Sequence, residues 1–271
     1  DERLRLVSRP NRGLIDSLNE GVGLATGRYI DRMDADDIAH PKRFELQLEF
    51  MHRHDLHLCG SAIRTFGASS KIKRYPSDDK TLKYGMLFLG KSFPHPTVIG
   101  LREVFEKFPY DKEFVHAEDA ALWLKIISLD GIRVGNHPKP LLKYRLHQEQ
   151  VSAVHSLSQT AMETKLISMA LGMLEVPYND SLLKTHVGLR RKIPAVSVVD
   201  ILNYGEWLVQ LQQILETRWG SSRVIAEKWY ELCTLSQSVH PEAYDLFYAN
   251  KLSNGVPLRK RFELMVKKYT D

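Results

Sequence analysis

The sequence predicts an α/β fold, a mixed sheet flanked by helices, with an all-helical C-terminal extension. Three observations predict it. Up to about residue 150, short strand-like apolar runs alternate with amphipathic helical patterns, an order that places helices on both faces of a sheet. After about Ser152 the strand signals stop, which implies a division into 1–152 and 153–271. The composition, 43% hydrophobic and 26% charged over 271 residues, is that of an ordinary globular protein with a full core.

The elements follow in order. Leu4 to Val7 reads as a short strand. Residues 13–27 read as a helix, with Leu14, Leu18, Val22 and Ala25 at helical spacing and Gly27 as the stop. "RYIDRM" reads as a strand, and 40–54 as a helix with Pro41 in its first turn. Residues 56–63 form a strand leading into a polar loop with hairpin character. A helix over 78–90, a strand over 95–101, a helix over 118–131 and a strand over 141–146 complete the α/β part. The 118–131 helix turns Ala120, Trp123, Ile126 and Ile127 inward. Beyond it, 197–219 is a helix capped by Ser197, and "SRVIAEKWYELCTLSQSV" and "LRKRFELMVKKY" are further helices. The last carries Leu258, Phe262, Met265 and Tyr269 as a stripe with basic flanks. It suits either an anionic membrane surface or packing on neighbouring helices, and packing is the preferred reading.

Composition excludes several classes. A formal charge of +5, evenly spread, does not argue for a nucleic-acid partner. Two cysteines, Cys59 and Cys233, provide neither a disulfide framework nor a metal knuckle and suit a reducing compartment. The opening "DERLRLVSRP" has no signal-peptide core, and "ISMALGML" at 167–174 is too short for a membrane span. The expected setting is cytoplasmic.

Asp34, Asp36 and Asp37 crowd three carboxylates into one turn after a strand. Like charges so close raise the cost of ionising one another. A divalent cation would offset that cost, and hard oxygen donors at this density suit Mg2+ or Mn2+. Residues i and i+2 of an extended turn point the same way, so Asp34 and Asp36 can share a ligand while Asp37 faces elsewhere. The other reading is a cap for the helix near His40. The turn alone leaves both open.

The flanking residues add to this. Asn11-Arg12-Gly13, Leu18-Asn19, Ala25-Thr26-Gly27-Arg28-Tyr29-Ile30, Asp34 to Asp37 and Pro41-Lys42-Arg43 occur in that order. So do "HPTVI" at 95–99, "AEDAALWLKI" at 117–126 and "LLKYRLHQEQVS" at 141–152. The set resembles family 2 glycosyltransferases of GT-A fold, of the bacterial surface-polysaccharide type. The resemblance covers about residues 1–152, and the helical tail matches no family pattern.

The resemblance implies a GT-A-like sheet and transfer of a sugar from a nucleotide-diphosphate sugar, most often a UDP-sugar. The acceptor would be a glycan or a lipid-linked glycan in polysaccharide or lipopolysaccharide synthesis. It implies Mn2+ or Mg2+ as cofactor and allows peripheral contact with the inner face of a membrane. By the same match, Asp36 is the direct metal ligand and Asp34 contacts the ribose or the metal's water shell. Asn11 and Gly13 lie beside the nucleotide. Asp119 of the Glu118-Asp119 pair is the base, and His147 reaches the metal or diphosphate.

The chemistry suits these residue types. A nucleoside diphosphate leaves with growing negative charge, which a divalent cation stabilises. The acceptor hydroxyl must lose a proton to a carboxylate on the opposite face, which gives inversion.

Each residue also has a plainer role to be weighed. Asp119 could be a helix cap, His147 a surface histidine and His95 part of the pocket floor, while Trp123 faces the core. His52, His54 and His57 look solvated. Two features depart from the family pattern. The chain opens after the strands that hold the nucleotide base, so about 50 further residues are expected upstream, on ordinary βαβ unit sizes. Asp31 stands where the family is usually small or apolar, and Ala120 and Ala121 where bulkier or acidic residues are common. The rival readings are a Mg2+-dependent nucleotidyltransferase, which lacks its Gly-rich phosphate loop here, and a non-catalytic sugar-nucleotide-binding or scaffold subunit.

Overall fold

The computed structural model describes residues 2–146 and 156–270. Its strands form one sheet in the order β1 (Tyr29–Asp31), β5 (Ile99–Leu101), β3 (Leu58–Gly67), β6 (Val134–Leu146) and β2 (Ile38–Ala39), while β4 (Ile72–Lys73) pairs with β3. β3 and β6 run parallel and the other pairs antiparallel, so the sheet is mixed as expected. The β3–β4 pair is the hairpin expected after residue 63.

Helices α1 (Leu14–Leu24), α2 (Arg43–His54), α3 (Asp79–Leu87), α4 (Arg102–Lys107) and α5 (Glu118–Ile127) alternate with the strands. Local chemistry sets their ends. Asp78 Oδ1 accepts the Thr81 N–H at the start of α3. Asp55 closes α2 in the left-handed region, at φ 51°. On α5, Trp123, Ile126 and Ile127 are buried, as the spacing predicts.

The strand expected at Leu4 to Val7 does not form. Leu4 and Leu6 are 80% and 91% exposed, and among the described residues no strand pairs with them. Apolar pattern alone does not make a strand without an edge to join. The strand expected at 95–101 is shortened to β5 because Pro94 and Pro96 turn His95–Thr97 into a 3-10 helix. β6 is longer than expected. Pro138 and Pro140 hide its first half in the sequence, and its register against β3 shifts between Ser61 and Ile63 beside them.

Helices α6 (Ser156–Met173), α7 (Asp180–Arg190), α8 (Val198–Trp219), α9 (Val224–Ser236), α10 (Ala243–Ala249) and α11 (Leu258–Thr270) follow. Ser197 caps α8 by accepting the Asp200 N–H, as predicted. These helices share one continuous buried cluster with α3 and α5. Polar ties reinforce the seam. The Tyr84 hydroxyl donates to the Gly220 carbonyl at 3.0 Å, and His186 joins the Leu87 carbonyl to the Tyr204 hydroxyl at 2.7 and 2.8 Å. On α11 the expected packing stripe is packed only in part among the described side chains, with Met265 half-buried. Leu258 and Phe262 are 78% and 60% exposed, and Leu264 is the side chain that enters the core.

Cys59 and Cys233 are buried free thiols. Among the described residues no helix is long and apolar enough to cross a membrane.

Candidate active site

The acidic turn stands on a braced strand end. β1 pairs Asp31 with Ile99 on β5, and the Arg32 N–H continues the ladder to the Val98 carbonyl at 3.0 Å. Arg43 of α2 then locks that end. Its Nη2 donates to Asp31 Oδ1 at 2.6 Å and to the Arg32 carbonyl at 3.2 Å, and its Nε donates to Gln47 Oε1 at 3.0 Å. Gln47 in turn donates to the Cys59 and Thr97 carbonyls. Asp31, unusual for its strand position, is thus the part-buried half of an ion pair whose Arg43 is buried. Burial pushes its carboxyl up to about 7 against the pull of Arg43.

The chain then crosses to β2 through Asp34-Ala35-Asp36-Asp37. Helix α2 starts later, at Arg43 with Lys42 as its N-cap, so neither Asp36 nor Asp37 caps it. Carboxylate oxygens of Asp34, Asp36 and Asp37 lie within 4.8 Å of one another. Arg32 pairs with Asp34 Oδ1 at 2.6 Å. The Arg145 N–H donates to Asp37 Oδ1 at 2.8 Å, and Arg145 Nε to the Asp36 carbonyl at 3.0 Å.

Asp37 does not point away from the other two acids as the alternation suggested. It is 7% exposed, turned in against β6. Burial and the charges of Asp34 and Asp36 raise its pKa, while the Arg145 hydrogen bond lowers it. Its Oδ2 is buried without a hydrogen-bond partner. An orphaned buried oxygen beside two more carboxylates is a donor set that fits a hard divalent cation.

The second acidic element is the start of α5. Ala117 is the N-cap and gives no side-chain cap, so Asp119 is not the cap residue. Asp119 Oδ1 accepts the N–H of Ala120 at 2.7 Å. Burial raises the Asp119 pKa most; the Ala120 N–H lowers it, Glu118 raises it and Arg32 lowers it. Glu118 is 8% exposed. Just before the helix, His116 holds φ 66°, a strained value for a residue other than glycine.

Three residues of the quoted motifs support this corner. Asn19 and Tyr110 exchange two bonds of 2.8 Å through the Asn19 side chain and the Tyr110 backbone. The Tyr110 hydroxyl meets His95 Nε2 at 2.9 Å, and the His95 ring meets Trp123 edge-on. His95 therefore underlies the corner as a neutral ring, its pKa pushed down to about 3 by burial and then by Arg32.

Asp34, Arg32, Glu118, Asp119 and Tyr144 line one open cleft of about 770 Å³. Asp36 belongs to the carboxylate group at its edge rather than to the lining. Asn11 accepts the Gly13 N–H at 2.8 Å, and Gly13, at φ 89°, starts α1, whose first residue Leu14 also lines the cleft. His147 lies outside the described residues.

Sequence reasoning missed three participants. Arg32 was hidden as one cation before a run of acids. Glu163 and Arg190 line the cleft from α6 and α7, helices that carry no catalytic motif. No spacing signal joins them to the turn, and only the tertiary packing does.

Comparisons with known proteins find similar sequences and a similar fold among glycosyltransferases. Residues 1–108 match "Glycosyl transferase family 2". The chain is 28% identical over 195 residues to the amylovoran biosynthesis glycosyltransferase AmsE of Erwinia amylovora, covering 71% of this chain and 73% of that protein. It is 31% identical over 161 residues to the UDP-Gal:alpha-D-GlcNAc-diphosphoundecaprenol beta-1,3-galactosyltransferase of Escherichia coli, covering 57% of each. The chain spans little more than half the length of several curated relatives, 55%, 59% and 57% of three of them. The fold is similar to that of S. aureus TarS 1-349, solved in complex with UDP-GlcNAc. The TM-score is 0.51 at 10% identity, over 93% of this chain and 72% of that one. The sheet with its flanking helices is GT-A-like.

Proposed function

Because the chain carries a family 2 glycosyltransferase sequence over residues 1–108, we propose that the protein is an inverting, metal-dependent glycosyltransferase. It moves a sugar from a nucleotide-diphosphate sugar, a UDP-sugar by preference, to a hydroxyl of a glycan or lipid-linked acceptor in bacterial surface-polysaccharide synthesis. The names of the Erwinia and Escherichia relatives support that pathway and donor. The observation that carries the reading is one cleft lined both by Asp34, whose carboxylate lies within 4.8 Å of those of Asp36 and Asp37, and by a separate carboxylate, Asp119.

In this reading Asp36 and Asp34, with the orphaned Oδ2 of Asp37, hold Mn2+ or Mg2+. The metal, when bound, neutralises charge on the departing diphosphate. Asp34 also faces the ribose side, and Asn11 and Gly13 border the nucleotide. Asp119 takes the proton of the acceptor hydroxyl, with Glu118 beside it holding its pKa up. The strained His116 and the first turn of α5 fix the direction of that carboxylate. Residues 1–152 carry the chemistry and 153–271 the acceptor side.

A cytoplasmic enzyme acting on a lipid-linked acceptor needs a route to the membrane surface. The exposed Leu258 and Phe262, with Arg259 and Arg261 on the same helix, suit peripheral contact with an anionic inner leaflet.

The reading is tested by thermal stabilisation with UDP-sugars, with and without Mn2+, followed by donor hydrolysis. Metal-dependent stabilisation and slow donor turnover are expected. Stabilisation by nucleoside triphosphates with release of pyrophosphate would favour a nucleotidyltransferase. Binding without any turnover would favour a non-catalytic subunit.

A further inference from the structure

We propose that Arg190 is an oxyanion-binding residue for the acceptor, taking a phosphate group attached to an apolar chain. The inference rests on the transferase reading and names how its acceptor is held.

The cleft has two kinds of polar lining. From the α/β part come Asp34, paired with Arg32, and the acids Glu118 and Asp119; from the helical region come Arg190 on α7 and its partner Glu163 on α6. Apolar side chains share the lining, among them Met86, Leu89, Trp123, Met162 and Leu166. A molecule with its hydroxyl at Asp119 and its anionic group at Arg190 would lie along that apolar surface.

Arg190 is held ready for this. Glu163, itself only 7% exposed, accepts from Arg190 Nε at 3.0 Å with one oxygen and from Arg191 Nε at 2.9 Å with the other. Binding through Nε fixes the guanidinium plane. The Arg190 side chain stays 43% exposed while so fixed. A planar cation with little rotamer freedom left to lose is suited to a bidentate oxyanion.

Further cations lie close to Arg190. Lys192 pairs with Glu231, as does Lys228, and the charges of Lys192 and Arg190 join burial in lowering the Lys228 pKa. Arg190, Arg191, Lys192 and Lys228 gather around Glu163 and Glu231, and the charge of Glu227 also reaches Lys228.

The chain just beyond Arg190 leaves aliphatic side chains exposed outside the cleft lining. Ile193, Val196 and Val199 are 52%, 70% and 62% exposed, directly after the basic run. Phosphate beside a hydrocarbon chain matches cation followed by exposed aliphatics better than a sugar carboxylate does.

Cations at the end of α7 also complement its dipole, and a purely structural role would move stability without moving ligand affinity. The test is therefore calorimetric titration of the whole protein, first saturated with UDP and Mn2+, using octyl phosphate, inorganic phosphate and glucuronate as probes. Octyl phosphate is expected to bind more tightly than either other probe. Arg190→Gln should weaken it by about tenfold or more, the loss of a charged hydrogen bond, and Arg190→Lys should restore part of the loss. UDP–Mn2+ affinity should stay unchanged in both variants. Equal octyl phosphate binding by wild type and Arg190→Gln would overturn the proposal, as would preference for glucuronate or loss of UDP–Mn2+ binding in the variant. If Arg190→Gln does not fold, phenylglyoxal labelling of Arg190 in the wild type, read by peptide mass, should fall on adding octyl phosphate; unchanged labelling overturns it. Absence of UDP–Mn2+ binding in the wild type would instead sink the transferase reading itself.

Discussion

Arg32 pairs with Asp34 at 2.6 Å, and the same guanidinium lowers the pKa of Asp119 on the far element of the cleft. One cation thus touches the charge balance of both acidic groups. Arg32→Gln removes the charge that favours ionised Asp119, so that carboxyl should hold its proton to higher pH. The acid limb of the pH–rate profile for donor turnover should move upward. An unmoved limb would mean that Asp119 does not control it.

Asp36 is exposed and crowded by two like charges. Asp36→Asn should weaken Mn2+ binding by more than about tenfold and abolish transfer. The midpoint of thermal unfolding should stay the same or rise, because like-charge crowding is relieved. Metal titration and a melting curve on one preparation check both parts; full activity would contradict the metal assignment.

Arg43 is 2% exposed and binds Asp31, Gln47 and the Arg32 carbonyl at once. Arg43→Met leaves Asp31 as an unpaired, part-buried carboxyl at the root of the acidic turn. Breaking a buried pair in this way costs about 3–5 kcal/mol, read by urea denaturation. A loss below about 1 kcal/mol would match an exposed pair and would show that the brace does not hold β1.

His186 is fully enclosed between α3, α7 and α8, and burial lowers its pKa to about 4. The unfolded chain takes up its proton near pH 6.5 and the folded protein does not until near 4. Stability is therefore present above about 6.5 and falls as pH drops toward 4, by about 2 kcal/mol at pH 5 from this residue. His95 adds a fall of the same sign. The stability difference between pH 7.5 and pH 5 should shrink in His186→Gln, measured by denaturant titration.

These contacts show which features the sequence makes legible. Helix spacing and caps are local, so α1, α2, α5 and the Ser197 cap of α8 are readable directly. The acidic turn is also local, three acids after a strand. What sequence hides is pairing. β6 looks half its length because Pro138 and Pro140 mimic a break, and "LRLV" looks like a strand though no described strand pairs with it. Asp31 looks out of place until Arg43, twelve residues on, is seen beneath it. Glu163 and Arg190 carry no motif at all and meet the cleft only because α6 and α7 pack on α3 and α5.

The central claim is that Asp119 deprotonates the acceptor hydroxyl, or water in its place, while the acidic turn holds the divalent cation that neutralises the departing diphosphate. The direct measurement is donor turnover by Asp119→Asn, with UDP–Mn2+ affinity measured on the same protein. The account predicts turnover lowered by about 10²–10⁴-fold, the range for lost general-base catalysis, with UDP–Mn2+ affinity and folding retained. Near-normal turnover in Asp119→Asn together with loss in Glu118→Gln would place the base one residue earlier. Near-normal turnover in both variants would contradict the account.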